Sequence, residues 1–491
     1  MRRQLECDVL IAGAGPAGAS AAIHLCRAGL SVILVDSCTF PRDKVCGDFV
    51  SPVALHQLDV LGVKYSSSAH KANVIRRAGV YLDGRHLITN PLPQISGLPT
   101  RAKVIPRRIL DESIVARARA IGAHIMEGWR VTSYSVQPRN VNVSLRCSSG
   151  VQHLKARVLI GADGSVSQIA RLLRRNTIPA EDRVIAVRGY FEGLQGPYDQ
   201  ADLYFSSEGF PGYYWLFPAG KDTANVGLGM LLRTLPPNKE HLRNLLLRRI
   251  QKDKALRDRL SGAQPLANIV GWPLTTYDSR IPIVGNRVLL IGDAAGLINP
   301  LNGEGIQYAI LSAGWAAETL EECAAANSFS RKSLSPYARR VAMELEPDMA
   351  VARLIVELIR NRSLNPLWLR GLTIITARAR KDPNYALMVG GVLSGLIPAR
   401  SLISPGIVEK TLLEAAVSVG GQVARDLLQG PKHLIDNVRI APAELLAGVR
   451  ENHAAAVKWG VDLASNAITL VRTRRTNFLD TLARKRGSAP R

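Results

Sequence analysis

The sequence predicts an α/β fold: a Rossmann-type nucleotide-binding domain, an inserted, mainly antiparallel β-sheet domain, and a helical C-terminal region. Three observations predict it. A complete β-α-β unit opens the chain, buried-strand character returns near residues 158 and 287, and a stretch of strand-like alternation fills the interval between them. This places nucleotide-binding segments at 1–182 and 281–335, a β-rich unit at 183–280 joined by part of 53–106, and a helical region at 336–491.

The first element, Asp8 to Ala12, is a continuous apolar run, as expected of a parallel strand covered on both faces. Gly13-Ala14-Gly15-Pro16-Ala17-Gly18 follows, then helical spacing over Ala19–Ala28, a stop at Gly29, and a second apolar strand, Ser31–Val35, that ends in Asp36. Asp43–Pro52 is a polar loop, and 53–106 mixes short strand signals with turns. Arg107–Gly122 has helical character, and Val131–Val136 and Asn140–Leu145 have strand character. Val158–Gly161 and Arg287–Ile291 are short buried strands that lead into Gly161-Ala162-Asp163-Gly164 and Gly292-Asp293-Ala294-Ala295-Gly296. Arg183–Leu232 alternates as a sheet, and helices dominate beyond Pro336, punctuated by Pro347, Pro366, Pro383, Pro398 and Pro405.

Composition bounds the partners. The 491 residues are 47% hydrophobic and 21% charged, enough apolar matter for a sizeable core and too much for a disordered chain. Lys and Arg number 63 against 40 Asp and Glu, a formal charge of +23 that favours anionic partners. The basic residues are scattered, with one concentration at Arg472–Arg491. Aromatics at 5% are thin for base stacking and no nucleic-acid module is present, so no nucleic acid is expected as a partner. The six cysteines include no C-x-x-C pair, which argues against a metal centre and for reduced thiols in a cytoplasmic setting. The N-terminus shows no signal-peptide pattern, and the longest apolar run, Ala386–Ile397, is too short to span a bilayer. A soluble protein, or one peripheral on the cytoplasmic membrane face, is expected.

Gly13, Gly15 and Gly18 stand where a dinucleotide site needs them. The first permits a tight turn, the second lets the backbone approach a pyrophosphate, and the third lets helix and strand pack closely. The helix N-terminus, with Ala17 in its first turn, offers N–H groups and a positive dipole to the phosphates. Asp36 ends the second strand, where a carboxylate accepts from a ribose hydroxyl. Two further carboxylates at glycine turns, Asp163 and Asp293 beside Gly292, suit an extended FAD better than a nicotinamide cofactor.

At these residues the chain resembles, over roughly 5–330, the flavoprotein group of p-hydroxybenzoate-hydroxylase-like monooxygenases, flavin halogenases and geranylgeranyl reductases. That resemblance implies that Arg107, four residues before Asp111, helps hold FAD. Two motifs narrow it to the geranylgeranyl reductases. Lys44-Val45-Cys46-Gly47-Asp48 is similar to their C-G-D loop, which approaches the flavin. Tyr213-Tyr214-Trp215-Leu216-Phe217-Pro218 followed by Gly227-Leu228-Gly229 is similar to their Y-x-W-x-F-P…G-x-G pattern. Halogenases carry W-x-W-x-I-P instead.

On a strand, Tyr213, Trp215 and Phe217 fall on one face and form an apolar wall for an isoprenoid chain, while Pro218, Gly227 and Gly229 leave room at the flavin edge. Cys46, with an ordinary thiol pKa of roughly 8.5, is a candidate proton donor or relay, or a gate for flavin movement. Asn299–Ile306 opens a helix whose first residues, Gly305 and Ile306, meet the flavin pyrimidine end; Glu304 has no assigned role. The resemblance implies reduction of carbon–carbon double bonds in a geranylgeranyl chain carried on a diphosphate, lipid or pigment, or in a polyprenyl quinone tail. Hydride comes from flavin N5 and electrons from NAD(P)H or a ferredoxin-like donor. An anionic membrane surface is a further expected partner. The competing enzyme class on this scaffold is a monooxygenase of an aromatic or polyene substrate. The competing non-enzymatic class is a basic flavin-binding or nucleic-acid-associated protein.

Overall fold

The computed structural model describes residues 5–65, 72–174, 183–235, 241–404, 406–411 and 413–414. The basic stretch 472–491 and Pro405 lie outside the described residues.

Leu5–Ala12 is the spine of the first sheet. It pairs in parallel with Gly150–Gly161 on one side and Val32–Asp36 on the other. His124–Glu127 and Val288–Leu290 extend the parallel order outward. Val9, Leu10, Ile11, Leu34, Leu159 and Ile160 are buried, because helices cover both faces and every side chain of a central strand meets protein. A hairpin, Arg130–Val136 and Val141–Cys147, adds antiparallel to Gly150–Gly161.

The helix after the glycine turn spans Pro16–Arg27 and so begins earlier than the expected Ala19. Pro16 is the reason: its fixed φ is already helical and it lacks the N–H that would go unbonded at that position. The N-cap Gly15 contributes no side-chain bond, so this helix start has no side chain of its own cap over it. A helix at Pro52–Leu61 was not expected within 53–106. Ser51 Oγ accepts from Ala54 N–H at 3.2 Å, Pro52 occupies the first turn, and Gly62 closes the helix at φ 71°.

The second sheet is mainly antiparallel. Tyr213–Pro218 lies inside it, between Thr223–Leu231 and Gln200–Phe205. Val184–Glu192 flanks the former, and Arg77–Leu82 joins the latter in parallel, followed by Arg85–Pro91. Residues 77–91 thus belong spatially to this sheet. Tyr214 and Leu216 point into a core with Tyr204, Val226 and Leu228, which sends Tyr213, Trp215 and Phe217 to the opposite face.

Ile306–Ala325 packs on Pro16–Arg27, and Arg331–Ile359, Asn365–Lys381 and Pro383–Leu393 follow. Ala379, Tyr385 and Ala386 pack with Val80, Leu87 and Ile88, so the last two helices rest on the second sheet. The apolar run from Ala386 ends in a turn, where Leu396 N–H returns to the Gly391 carbonyl at 2.8 Å. No described helix is long and apolar enough to cross a membrane.

Candidate active site

A cavity of about 1670 Å³ is bounded by the first sheet's glycine turn, the aromatic face of the second sheet and the C-terminal helices. At its nucleotide end the glycines do distinct things. A Cβ on Gly13, which has φ +102°, would stand 2.3 Å from the Ala162 carbonyl oxygen, and one on Gly18 would meet the Gly13 carbonyl. Both permit backbone contact, and Gly18 is not in the cavity wall. Gly15 is in the wall, with only arginine nitrogens of Arg42 (3.6 Å) and Arg107 (3.9 Å) near the space its side chain would fill. Ala17 lines the same end.

Those arginines are held by one carboxylate. Asp111, fully buried, receives Arg107 through two bonds (2.7 and 2.8 Å) and Arg42 through a third (2.9 Å). Two guanidinium groups fixed beside an open glycine and an uncapped helix start are a cradle that could hold a pyrophosphate. Lys44 adds a third cation; its ammonium lies 3.5 Å from the Trp272 ring centroid, and burial, with Arg107 nearby, lowers its pKa to about 8.

The acids at this end divide into ligand-facing and internal. Asp36 lines the cavity but also accepts from Ala14 N–H (2.8 Å) and Cys38 N–H (2.9 Å), which fixes its carboxylate at the turn. Asp293 opens the short Gly292–Ala295 helix, accepts from Ser165 Oγ at 3.2 Å and has its pKa raised by burial. Gly292 supplies the positive φ (55°) of that turn rather than wall surface. Asp163 differs from expectation. It lines the cavity, yet its two oxygens accept from Ser167 Oγ, Gln168 N–H (2.7 Å) and Ile169 N–H (3.3 Å), so its carboxylate serves its own loop and helix start.

Where the nucleotide end meets the second sheet, the 43–48 loop is clamped from across the chain. Arg188, buried, grips Asp43 through both carboxylate oxygens at 2.6 Å. Asn225 Nδ2 donates to the Cys46 carbonyl (2.7 Å) and to Asp48 Oδ2 (2.9 Å), and its Oδ1 accepts from Trp215 Nε1 (2.9 Å). Tyr190 OH also donates to Asp48 Oδ2. Asp48 is fully buried at φ 63°, with Oδ1 unpartnered, and burial raises its pKa to about 6. The Cys46 thiol lines the cavity and accepts from Asp48 N–H at 3.3 Å. Burial pushes its pKa up to about 11, well above the ordinary value expected from sequence, which makes it a firmly neutral thiol and a weak acid.

The aromatic wall is longer than its motif. Phe49, Phe217, Trp215, Tyr213, Phe205 and Phe210 form a row with successive centroids 5.5 to 6.4 Å apart. Gly47 lies against Phe217, where a Cβ would stand 3.1 Å from the ring. Two expectations are corrected here: Pro218 and Gly227 are not cavity-lining. The space over Gly227 is filled by the Trp215 indole, while Pro218 pairs with Ala224 and accepts Asn73 Nδ2 at 2.9 Å. Gly229 does line the cavity, and a Cβ there would stand 3.8 Å from the Trp215 ring.

Opposite this wall stand Ile355, Ile359, Trp368, Leu372, Ile375 and Val389 of the C-terminal helices, which make the remainder an apolar slot. Its floor is the Asn299–Ile306 turn: Tyr213 OH donates to the Asn302 carbonyl at 2.8 Å, and Gly305 caps the Ile306–Ala325 helix. Gly305 and Ile306 line the cavity with Glu304, whose Oε1 accepts from Gln307 N–H at 3.1 Å and whose pKa burial raises to about 7. Sequence reasoning missed Arg42, Arg188, Tyr190 and Asn225 as parts of this site, and named Lys44 only as a member of its loop motif. The signal available was Asp43–Asp48, a charged loop before a buried strand, but its partners lie far away in sequence.

An FAD-binding domain model matches residues 6–191, and a geranylgeranyl reductase catalytic domain model matches 182–262. A menaquinone reductase of Mycobacterium tuberculosis is 33% identical over 333 residues, 64% of this chain and 77% of that protein. A digeranylgeranylglycerophospholipid reductase of Methanopyrus kandleri is 28% identical over 374 residues, 74% of this chain and 90% of that one. A solved geranylgeranyl bacteriochlorophyll reductase-like structure from Thermoplasma acidophilum superposes with a TM-score of 0.65 at 22% identity, covering 86% of this chain and all of that one. The residues present fit FAD: an open glycine under two fixed arginines for the pyrophosphate, a carboxylate at the second strand's end, and a cavity continuing from that cradle past Cys46 to the aromatic wall. The chain therefore belongs to the geranylgeranyl reductase family of FAD-dependent oxidoreductases.

Proposed function

We propose that this protein reduces carbon–carbon double bonds in an isoprenoid chain, and that the chain is the tail of a prenyl quinone of the menaquinone class. One observation carries the reading: the cavity that holds the nucleotide cradle continues into a slot walled by an aromatic row on one side and aliphatic helix side chains on the other. Such a surface binds a long hydrocarbon through area burial and gives an isolated alkene no polar anchor, so positioning falls to shape. Among the described residues the helical side of the slot has one cation, Arg360, and it is engaged with Glu357. A diphosphate head would call for several unpaired cations there; a quinone does not.

Bound FAD in its reduced form supplies the hydride. The chain's residues do the rest. Arg42, Arg107 and the Gly15 helix start hold the pyrophosphate, the clamp from Arg188 and Asn225 fixes the Cys46–Gly47 loop, and Trp215 and Phe217 press the alkene toward that loop. The neutral Cys46 thiol contributes a small, polarisable contact at that junction. The β-α-β turn is committed to FAD, so electrons arrive from NAD(P)H visiting transiently or from a ferredoxin-like donor. The test is anaerobic incubation of the dithionite-reduced protein with menaquinones, geranylgeranyl lipids and geranylgeranyl diphosphate. Products carrying two added hydrogens per double bond, formed fastest from the quinone, are expected. Preference for the diphosphate would overturn the assignment of the head group, and an oxygen-requiring product would point to a monooxygenase instead.

A further inference from the structure

Reducing an isolated alkene needs a proton as well as a hydride, and the slot's acids are unequal to that task. Tyr213 is committed as a donor to the Asn302 carbonyl, and burial raises its pKa to about 12. Cys46 is nearly as weak an acid. Lys44 lies over Trp272 among Arg42, Arg107, Asp111 and Asp293, at the nucleotide end. Asp48 is sealed behind Tyr190 and Asn225 and does not reach the cavity wall.

Glu304 is placed differently. It sits in the cavity wall two residues after Asn302, whose carbonyl is pinned by Tyr213 of the aromatic row. The turn is rigid: Asn299 N–H donates to the Glu304 carbonyl (2.9 Å), and Glu304 N–H to Asn302 Oδ1 (3.0 Å). It is also covered, because Asn302 Nδ2 and Gln307 Nε2 reach the carbonyls of Val392 and Gly395 at 3.4 and 3.5 Å, and Gly395 lies over the Glu304 side chain.

We propose that Glu304 is the acid that protonates the alkene during isoprenoid reduction, and that Cys46 is a packing residue beside it; this rests on the function proposed above. The step balances with reduced flavin as reductant. The π bond breaks, its electron pair forms a C–H bond with the Glu304 proton, and hydride from the flavin forms the second C–H bond at the adjacent carbon. The flavin is left oxidised and Glu304 as a carboxylate, which regains its proton from solvent before the next turnover. Burial, with no cationic partner among the described residues, keeps the carboxyl protonated near neutrality, against the pull of the Gln307 and Ile306 amides. The titratable groups near it are Tyr213 and, on the helix that follows, Tyr308, with Asp293 packed near Gly305. None of these is a cation.

The experiment uses flavin-loaded wild type, Glu304→Gln, Glu304→Asp and Cys46→Ser. Infrared pH titration needs no substrate: beside the Asp48 carboxyl band that fades near pH 6, a protonated-carboxyl component that fades near pH 7 is expected in wild type and should be missing from Glu304→Gln. Anaerobic single-turnover reoxidation of the prereduced flavin by a prenyl quinone whose ring has already been reduced should slow by roughly 100-fold or more in Glu304→Gln. Glu304→Asp should retain more activity than Glu304→Gln, and Cys46→Ser should lose less than tenfold. The assignment is overturned if wild type is active and Glu304→Gln stays within threefold of it, or if the band is unchanged in Glu304→Gln. A wild-type protein inert toward every isoprenoid removes the proposed function and this role with it, a result distinct from the first.

Discussion

The indole of Trp215 lies directly over Gly227: a Cβ on that glycine would stand 2.1 Å from Trp215 Cζ2 and 2.5 Å from the Val187 carbonyl oxygen. The glycine is what allows the indole to lie along the sheet, donate to Asn225 and keep the aromatic row continuous. Gly227→Ala should therefore destabilise the protein by about 1–3 kcal/mol, the usual cost of overpacking a filled site. It should also loosen the Cys46 loop through Asn225. Chemical denaturation measures the first effect, and increased alkylation of Cys46 by a thiol reagent in the folded protein measures the second.

Asp111 is the counter-ion of the nucleotide cradle. Asp111→Asn leaves Arg107 buried with its charge uncompensated and releases Arg42, so stability should fall by about 3–5 kcal/mol. Affinity for FAD should drop at least tenfold. Fluorescence titration of the apoprotein with FAD, run beside a denaturation curve, separates the two effects.

Asp48 makes stability depend on pH in a predictable direction. Its pKa is raised on folding, from an ordinary carboxyl value to about 6, so its contribution is full below the unfolded pKa and is lost as pH rises through 6. Asp48→Asn keeps a neutral group in place. The stability of wild type relative to this variant should fall by roughly 2–3 kcal/mol between pH 4 and pH 8. Urea denaturation of both proteins across that range checks the sign and the window.

Two helical glycines, Gly371 and Gly390, line the slot, and a Cβ on either would meet nothing within 4 Å. A helix interior prefers alanine to glycine by about 1 kcal/mol, so nothing local favours either residue. Gly371→Leu and Gly390→Leu should fold at least as stably as wild type while narrowing the slot. Turnover of a long prenyl quinone should fall at least tenfold with flavin content unchanged, as measured by steady-state kinetics and the flavin absorption spectrum.

Much of this was legible in the sequence because the relevant physics is local. Gly13, Gly15, Gly18 and Asp36 lie within one β-α-β unit, and Tyr213, Trp215 and Phe217 share a face by strand periodicity alone. What could not be read depends on distant pairing. Arg188 meets Asp43 across 145 residues, and Asn225 meets Asp48 across 177. Neither leaves a periodic trace. Asp163 misled because a glycine turn after a buried strand looks the same whether its carboxylate faces a ligand or caps its own helix. Pro218 and Gly227 misled for a related reason: the room a glycine leaves can be taken by a neighbouring side chain. Glu304 carried no signal, since its raised pKa comes from burial on a turn covered by Val392 and Gly395, far away in sequence.

The central claim, reduced flavin held against an isoprenoid chain, is tested most directly by anaerobic stopped-flow spectroscopy. Prereduced protein is mixed with a polyprenyl quinone whose ring has already been reduced, so that only the tail can accept electrons. The account predicts return of the oxidised-flavin absorption without oxygen, matched by a product carrying two more hydrogens. Flavin that stays reduced until air is admitted would contradict it.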